Sequence, residues 1–371
     1  VSLKRINAEE ALQALDQFDA ILDARSPAEY ALDHLPGALN WPTLSDQQRH
    51  EVGTAYKQIA AFEARKRGAA MAARNIADHL DRHAGDLPRH WRPLVYCWRG
   101  GQRSGSLALV LSQVGFEVTV LEGGYRAFRS SLVQDLERLA EPLQFRVLCG
   151  RTGTGKSRLL QALADAGEPV VDLEALACHR GSVLGETAEP QPSQKQFETR
   201  LWAVLRRLPA QRPVYVESES RRIGRLTVPD ALLLRMRQSE CVHLDMPLAA
   251  RAALLLQDYP QWLADPEALC RRLQTLTALR GHDTIQAWQD LARSGRWETL
   301  VERLLDEHYD PVYTRSMARN YQQFGQARPL ELADASPQAM SLAVHELLHD
   351  SPADRGNALR RSVEGSSNPR C

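Results

Sequence analysis

Lysine is nearly absent from this chain. Five of its 46 basic residues are lysines, at positions 4, 57, 66, 156 and 195, and the other 41 are arginines. So wide a bias reads as a coding preference, and arginine abundance alone does not indicate phosphate binding, although each guanidinium can grip a phosphate in bidentate fashion. Net charge is lacking too. The 46 basic residues face 46 acidic ones, so no overall field gathers polyanions and any such site must be local. No apolar run approaches the roughly 18 residues of a membrane span. The stretch VSLKRINAEEALQALDQFDAILDAR lacks the apolar core and small-residue cleavage site of a secretory signal. The expectation is a cytoplasmic location with no membrane partner. Six cysteines, at 97, 149, 178, 241, 270 and 371, form no CxxC pair, which argues against a disulfide scaffold and fits a reducing compartment.

What is present has the grammar of an α/β protein. With 371 residues and about 150 per domain, two domains are expected. DAILDA (19–24) reads as a buried strand, SPAEYALDHLPGA as a short helix before a Pro-Gly break, and the Ala-, Glu- and Arg-rich stretch of about 45–85 as one or two inserted helices. RPLVYC is the next strand, followed by a loop and a helix to about 114. FEVTVLEGGYRAFRSSL gives a strand, a Gly-Gly turn and a closing helix. The first domain is thus expected over 1–138, with a linker at 139–144. From 145 to 350, strands alternate with helices, the pattern of a parallel sheet covered on both faces, and 248–308 reads as helical. The polar segment 351–371 is expected to be loose.

Two loops carry chemistry. In YCWRGGQRSGSLALVLS, residues 96–112, a cysteine stands at the end of a strand and an apolar helix follows the loop. A helix N-terminus, converging backbone N–H groups and the nearby Arg99 and Arg103 all favour the Cys97 thiolate, and the same cradle would hold an anionic adduct on the sulfur. The alternative is a half-buried structural cysteine in a glycine turn. In GRTGTGKS, residues 150–157, the phosphate-loop pattern G-x-x-x-x-G-K-[ST] is complete, between the strand FRVLC and a helix. Gly150, Thr152, Gly153, Thr154 and Gly155 would cradle phosphates, Lys156 would reach the terminal phosphate, and the Ser157 hydroxyl would sit on Mg²⁺. Downstream, Glu217 and Glu219 could hold that metal or merely end a strand. Asp172, Glu174, His179 and Arg180 follow the next strand, at the sheet edge where open α/β folds bind ligands. Cys178 and His179 have no further zinc ligands at suitable spacing. Arg221, Arg222 and Arg225 could face a phosphate-bearing partner, or decorate a solvated helix start.

The first domain resembles the rhodanese family: ILDARSPAEYALDHLPGALNWP looks like its opening signature, YCWRGGQRSGS like its active-site loop and VLEGGYRAFR like its closing motif. That resemblance implies a sulfur-carrying role for Cys97. The spacing from Cys97 to Arg103 is about one residue longer than in the usual sulfurtransferase loop and nearer to the rhodanese-like phosphatases. Tyr96 replaces the histidine typical of cysteine phosphatases. A rhodanese-like domain with a helical insertion, followed by a P-loop NTPase-like domain, resembles the bacterial tRNA 2-selenouridine synthases over almost the full length. Beyond the generic motifs the likeness includes EVGTAYKQ, AARNIADHL, LACHRGSVLG, QPSQKQFE, VESESRRIG and YDPVY. It implies geranyl diphosphate and selenophosphate as co-substrates, a selenophosphate-supplying partner, a selenylated Cys97, and thiolated tRNAs for Lys, Glu and Gln as substrates. Two other readings remain open: a P-loop ATPase or kinase with a regulatory rhodanese module, and a rhodanese half that only binds.

Overall fold

The computed structural model describes residues 3–58, 60–182 and 184–349; the expected tail at 351–371 lies outside them. Short, near-continuous apolar runs, as strands buried on both faces require, build two all-parallel five-stranded sheets. In the first, β1 (Lys4–Ile6), β2 (Ala20–Asp23), β3 (Ala38–Asn40), β4 (Pro93–Tyr96) and β5 (Thr119–Leu121) take the order β1-β5-β4-β2-β3. In the second, β6 (Phe145–Gly150), β7 (Val170–Val171), β8 (Val214–Glu217), β11 (Glu240–Asp245) and β12 (Arg328–Glu331) take the order β12-β11-β6-β8-β7. Between β8 and β11 in the chain, β9 (Arg222–Ile223) and β10 (Leu226–Thr227) form an antiparallel hairpin. The helix start weighed for that segment is therefore replaced by a turn at Gly224. No helix among the described residues is long and apolar enough to cross a membrane.

Alternation decides which side of each strand meets which core. Ile21, Leu94, Tyr96 and Leu121 of the first sheet share one continuous apolar core with Val147, Cys149, Val214 and Val216 of the second. The opposite faces are separate: Leu22, Val95 and Val120 pack under helix Gln102–Val114, and Leu148, Tyr215 and Leu244 pack under helix Lys156–Asp165. The inserted segment forms two helices, Asp46–Gln58 and Ala61–His83.

The two sheets are joined by packing rather than by a free tether. Helix Gly124–Ala140 runs into the segment expected to be linker, and Leu143 just beyond it is buried. This helix lies against helix Gln194–Leu205, where Phe128 meets Trp202 edge-on at 5.9 Å, Trp202 Nε1 donates to Asp135 at 2.8 Å, and Arg129 pairs with Glu198. Such aromatic pairs contribute about 1 kcal/mol beyond their buried area. A buried polar chain also crosses the join: Tyr125 Oη donates to Asp33 at 2.6 Å and Thr199 Oγ1 donates to the same carboxylate oxygen at 3.2 Å.

Candidate active site

Cys97 follows the last residue of β4, where a parallel sheet directs its loops toward ligands. The loop is folded back onto the Gly-Gly turn that follows β5: Tyr125 N–H donates to the Cys97 carbonyl at 2.8 Å and Arg126 N–H to that of Trp98 at 3.1 Å. So close an approach requires glycine at 124, which has φ +58°; a methyl there would overlap the Cys97 carbonyl and lie 2.6 Å from the Gly100 nitrogen. Beneath the loop, a fully buried Asp23–Arg25 ion pair receives a 2.7 Å hydrogen bond from Tyr96 Oη, and Arg25 stacks 4.1 Å from the centre of the Tyr125 ring. Burying an ion pair is costly unless its hydrogen bonds are met. Here they are, and the platform under the thiol is fixed.

The thiol keeps little exposure, 3% for the residue as a whole. Burial works against its ionisation. The Ser104 hydroxyl, donating to Sγ at 3.1 Å, the Ser104 N–H, the Arg103 guanidinium and the Arg99 N–H together outweigh that burial and hold the pKa below the ordinary cysteine value. Arg103 is itself engaged: it donates to Glu29 at 2.6 Å, and Arg49 pairs with the same carboxylate at 3.2 Å. Arg99 is exposed. Arg103 therefore acts on Cys97 through its charge while Glu29 holds its guanidinium. Ser104 and Glu29 were not singled out in the sequence; the Ser-x-x-Glu capping box at Ser26 was the available signal for Glu29.

The second loop joins β6 to helix Lys156–Asp165 and opens on a cleft of about 390 Å³. Gly153, with φ +82°, lies so close to helix Leu248–Asp258 that an added methyl would sit 3.1 Å from the Arg251 carbonyl and the Leu255 side chain. Arg251, buried and paired with Asp310 at 2.6 Å, donates to the Thr152 carbonyl at 2.9 Å and braces the loop. The Thr154 hydroxyl and N–H both donate to the Arg151 carbonyl, at 2.8 and 3.2 Å, which tightens the turn of the loop. Lys156 Nζ donates to the carbonyls of Gly150 at 2.7 Å and Arg151 at 3.4 Å. Both are bonds to the loop's own backbone, which an incoming phosphate oxygen could replace.

Of the acidic candidates, Glu219 lines this cleft together with Glu174, whereas Glu217 does not. Glu217 is buried in the sheet, where its Oε1 accepts the Glu174 N–H at 2.9 Å, and Asp172 caps helix Leu173–Ala177 through the Ala175 N–H. Burial first, then crowding with Glu174, pushes Glu219 up to about 8; burial likewise raises Glu174 and, well above the ordinary value, Glu217. Ser157 Oγ donates to Glu174 at 3.0 Å. Oxygen ligands crowded beside a phosphate site suit Mg²⁺, which needs few protein ligands and completes its shell with phosphate and water. Among the described residues, no three His, Cys, Asp or Glu side chains are grouped to cage a metal ion, so Cys178 and His179 have no such third ligand. His179 is buried. Arg180 lines the cleft, 4.8 Å from the centre of the Tyr259 ring. Arg221, just before the hairpin, pairs with Asp230, Arg222 is exposed, and Arg225 in its turn donates to the Gln191 carbonyl; none of the three lines the cleft. The cleft also recruits Tyr309 and Tyr313 of YDPVY and Arg237, none of which the motif analysis assigned.

Comparison with known proteins matches this architecture. The rhodanese-like domain model covers residues 7–131, and the model described as the tRNA 2-selenouridine synthase AAA domain covers residues 143–268. The tRNA 2-selenouridine synthase of Marinobacter nauticus is 33% identical over 79% of this chain and 87% of its own length. This chain belongs to the tRNA 2-selenouridine synthase family. The family member from Nitrosomonas europaea is 38% identical over 64% of this chain and 63% of that protein. Among solved structures, a rhodanese-related protein from Thermoplasma volcanium is 20% identical, covering 34% of this chain and 92% of that one, with a TM-score of 0.23. Within the family frame, Cys97 and the Lys156 loop each stand at the carboxyl end of a parallel sheet.

Proposed function

We propose that this chain is a transferase of the cytoplasm that converts wobble 2-thiouridine to 2-selenouridine in the tRNAs for Lys, Glu and Gln, through an S-geranyl intermediate. The reading is carried by one observation above the rest: a family match spanning both halves of a chain with two separate glycine-rich loops, each at the carboxyl end of its own parallel sheet. In the first step the thiocarbonyl sulfur attacks the allylic carbon of geranyl diphosphate. The carbon–oxygen bond breaks, pyrophosphate leaves with the electron pair, and the uridine N3 proton passes to solvent. Residues 150–157 hold the diphosphate, and Lys156 offsets the charge gathering on the leaving group. Ser157, Glu174 and Glu219 would hold Mg²⁺, which would neutralise part of the same charge.

S-alkylation makes C2 more electrophilic and the sulfur a better leaving group. Selenium of selenophosphate adds to C2 and geranylthiol departs with the carbon–sulfur electron pair. The Cys97 thiolate attacks phosphorus, the P–Se bond breaks toward selenium, and water then releases phosphate from the sulfur. Selenylation of Cys97, the role implied by the rhodanese resemblance, would require phosphorus to take two electrons from selenium; phosphoryl capture requires no change of oxidation state and suits the longer Cys97–Arg103 spacing. Thiolated tRNA incubated first with geranyl diphosphate and then with selenophosphate should yield S-geranyl-2-thiouridine and then 2-selenouridine on nucleoside mass spectrometry. Selenouridine formed at full rate without geranyl diphosphate would contradict the route.

A further inference from the structure

Beside the phosphate loop lies a second cavity that the reaction above does not explain. It is a slot of about 70 Å³ walled by helix Leu248–Asp258 and the helices that follow it, and its lining contains no charged side chain. The slot and the phosphate cleft share Thr152, Ser182, Tyr259 and Tyr309, so the two spaces adjoin. Charge is divided sharply between them. Lys156, Arg180, Glu174 and Glu219 all stand on the cleft side. The loop is also seated on the wall of the slot, through the close approach of Gly153 to Leu255. Any molecule whose phosphates occupy residues 150–157 therefore has, next to its charged end, a narrow apolar space.

The chemistry of that space selects its occupant. A nucleoside would bring ribose hydroxyls and base edges that need partners, and buried polar groups without partners are costly. The slot offers few: the hydroxyls of Tyr259 and Tyr309 lie beside that of Ser182, and Trp262 Nε1 donates to the Leu184 carbonyl at 3.4 Å. What remains is aromatic and aliphatic surface. Leu300 lines the slot, 1% exposed and packed into the helical core behind it.

We infer that this slot receives the hydrocarbon chain of an allylic diphosphate whose head group sits in the phosphate loop, and that Leu300 limits the length of chain admitted. The inference rests on the geranyl diphosphate reading above and adds to it the surface that distinguishes one prenyl chain from another. A pocket of this kind discriminates by about tenfold or more for each methylene it gains or loses.

The test compares equilibrium binding of geranyl diphosphate, farnesyl diphosphate and inorganic pyrophosphate to the full chain. The wild type is expected to bind geranyl diphosphate at least about tenfold more tightly than pyrophosphate. Leu300→Trp should erase that advantage while leaving pyrophosphate affinity unchanged, and Leu300→Ala should shift preference toward farnesyl diphosphate. Val301→Phe, at a half-buried position of the same lining, reads the same ratio if Leu300→Trp does not fold. An unaltered ratio in the folded variants, or a wild type that binds pyrophosphate as tightly as geranyl diphosphate, overturns the slot while the phosphate-loop assignment stands. A wild type that binds neither ligand overturns both.

Discussion

The Ser104 hydroxyl holds much of the chemistry of Cys97. It donates to Sγ at 3.1 Å inside the protein, and a hydrogen bond to an ionised group contributes about 1.5–3 kcal/mol. Ser104→Ala should therefore raise the thiol pKa, by destabilising the thiolate by about that amount. The Ser104 N–H, Arg99 N–H and Arg103 charge remain, so the variant keeps part of the depression. The assay is the rate of alkylation by iodoacetamide against pH, whose midpoint reports the pKa. Ser106→Ala, which removes a hydroxyl directed at the Arg103 carbonyl at 3.1 Å, should leave the midpoint in place. Glu29→Gln should move it the opposite way, because the Arg103 charge then loses its counter-ion. A Ser104→Ala midpoint equal to that of the wild type, in a variant of equal thermal stability, would refute the assignment of Ser104 as the group that sustains the thiolate.

Gly124→Ala forces a methyl into the Cys97 loop at a positive φ, and strain together with overpacking should cost about 2–4 kcal/mol by chemical denaturation. Gly105→Ala, on a helix with open space around the added methyl, should instead be neutral or stabilising. Lys156→Ala should weaken pyrophosphate binding by about tenfold or more in calorimetry, the loss of a charged donor being partly offset by freeing the Gly150 carbonyl. Glu219 is pushed up to about 8 in the fold from an ordinary 4.5, so the folded state binds the extra proton between those values. Stability should therefore be highest below about 4.5 as far as this group is concerned, and fall as pH rises through about 8. Glu219→Gln should flatten that slope in melting temperatures measured across the range.

Both loops could be read from the sequence because their function lies in backbone geometry, and backbone geometry constrains residue type locally. Gly124 is fixed by a close approach that no side chain survives, Gly153 by a positive φ and a tight contact with the next helix, and the strands before each loop are short apolar runs. Elsewhere, local pattern was a poor guide. Arg222–Thr227 is a hairpin whose four paired residues are too few to display alternation, and the glycine at 224 was its one clear sign. β12 contains a proline, Pro329, which sheets tolerate at an edge, where β12 lies. Glu217 and Glu219 look equivalent in VESES, yet Glu217 ends β8 and is buried against the Glu174 N–H, whereas Glu219, beyond the strand, lines the cleft. Leu300 and Trp262 belong to amphipathic helices whose apolar faces read as ordinary core. That one such face leaves a slot beside Thr152 depends on how the helices cross, which no single segment encodes.

The most direct measurement is the nucleoside profile of thiolated tRNA treated with Cys97→Ala chain, geranyl diphosphate and selenophosphate. The division of labour between the two loops predicts that S-geranylation and loss of the geranyl group proceed while the nucleoside stops at its Se-phosphoryl adduct, so that 2-selenouridine does not form. Selenouridine appearing at the wild-type rate would contradict it.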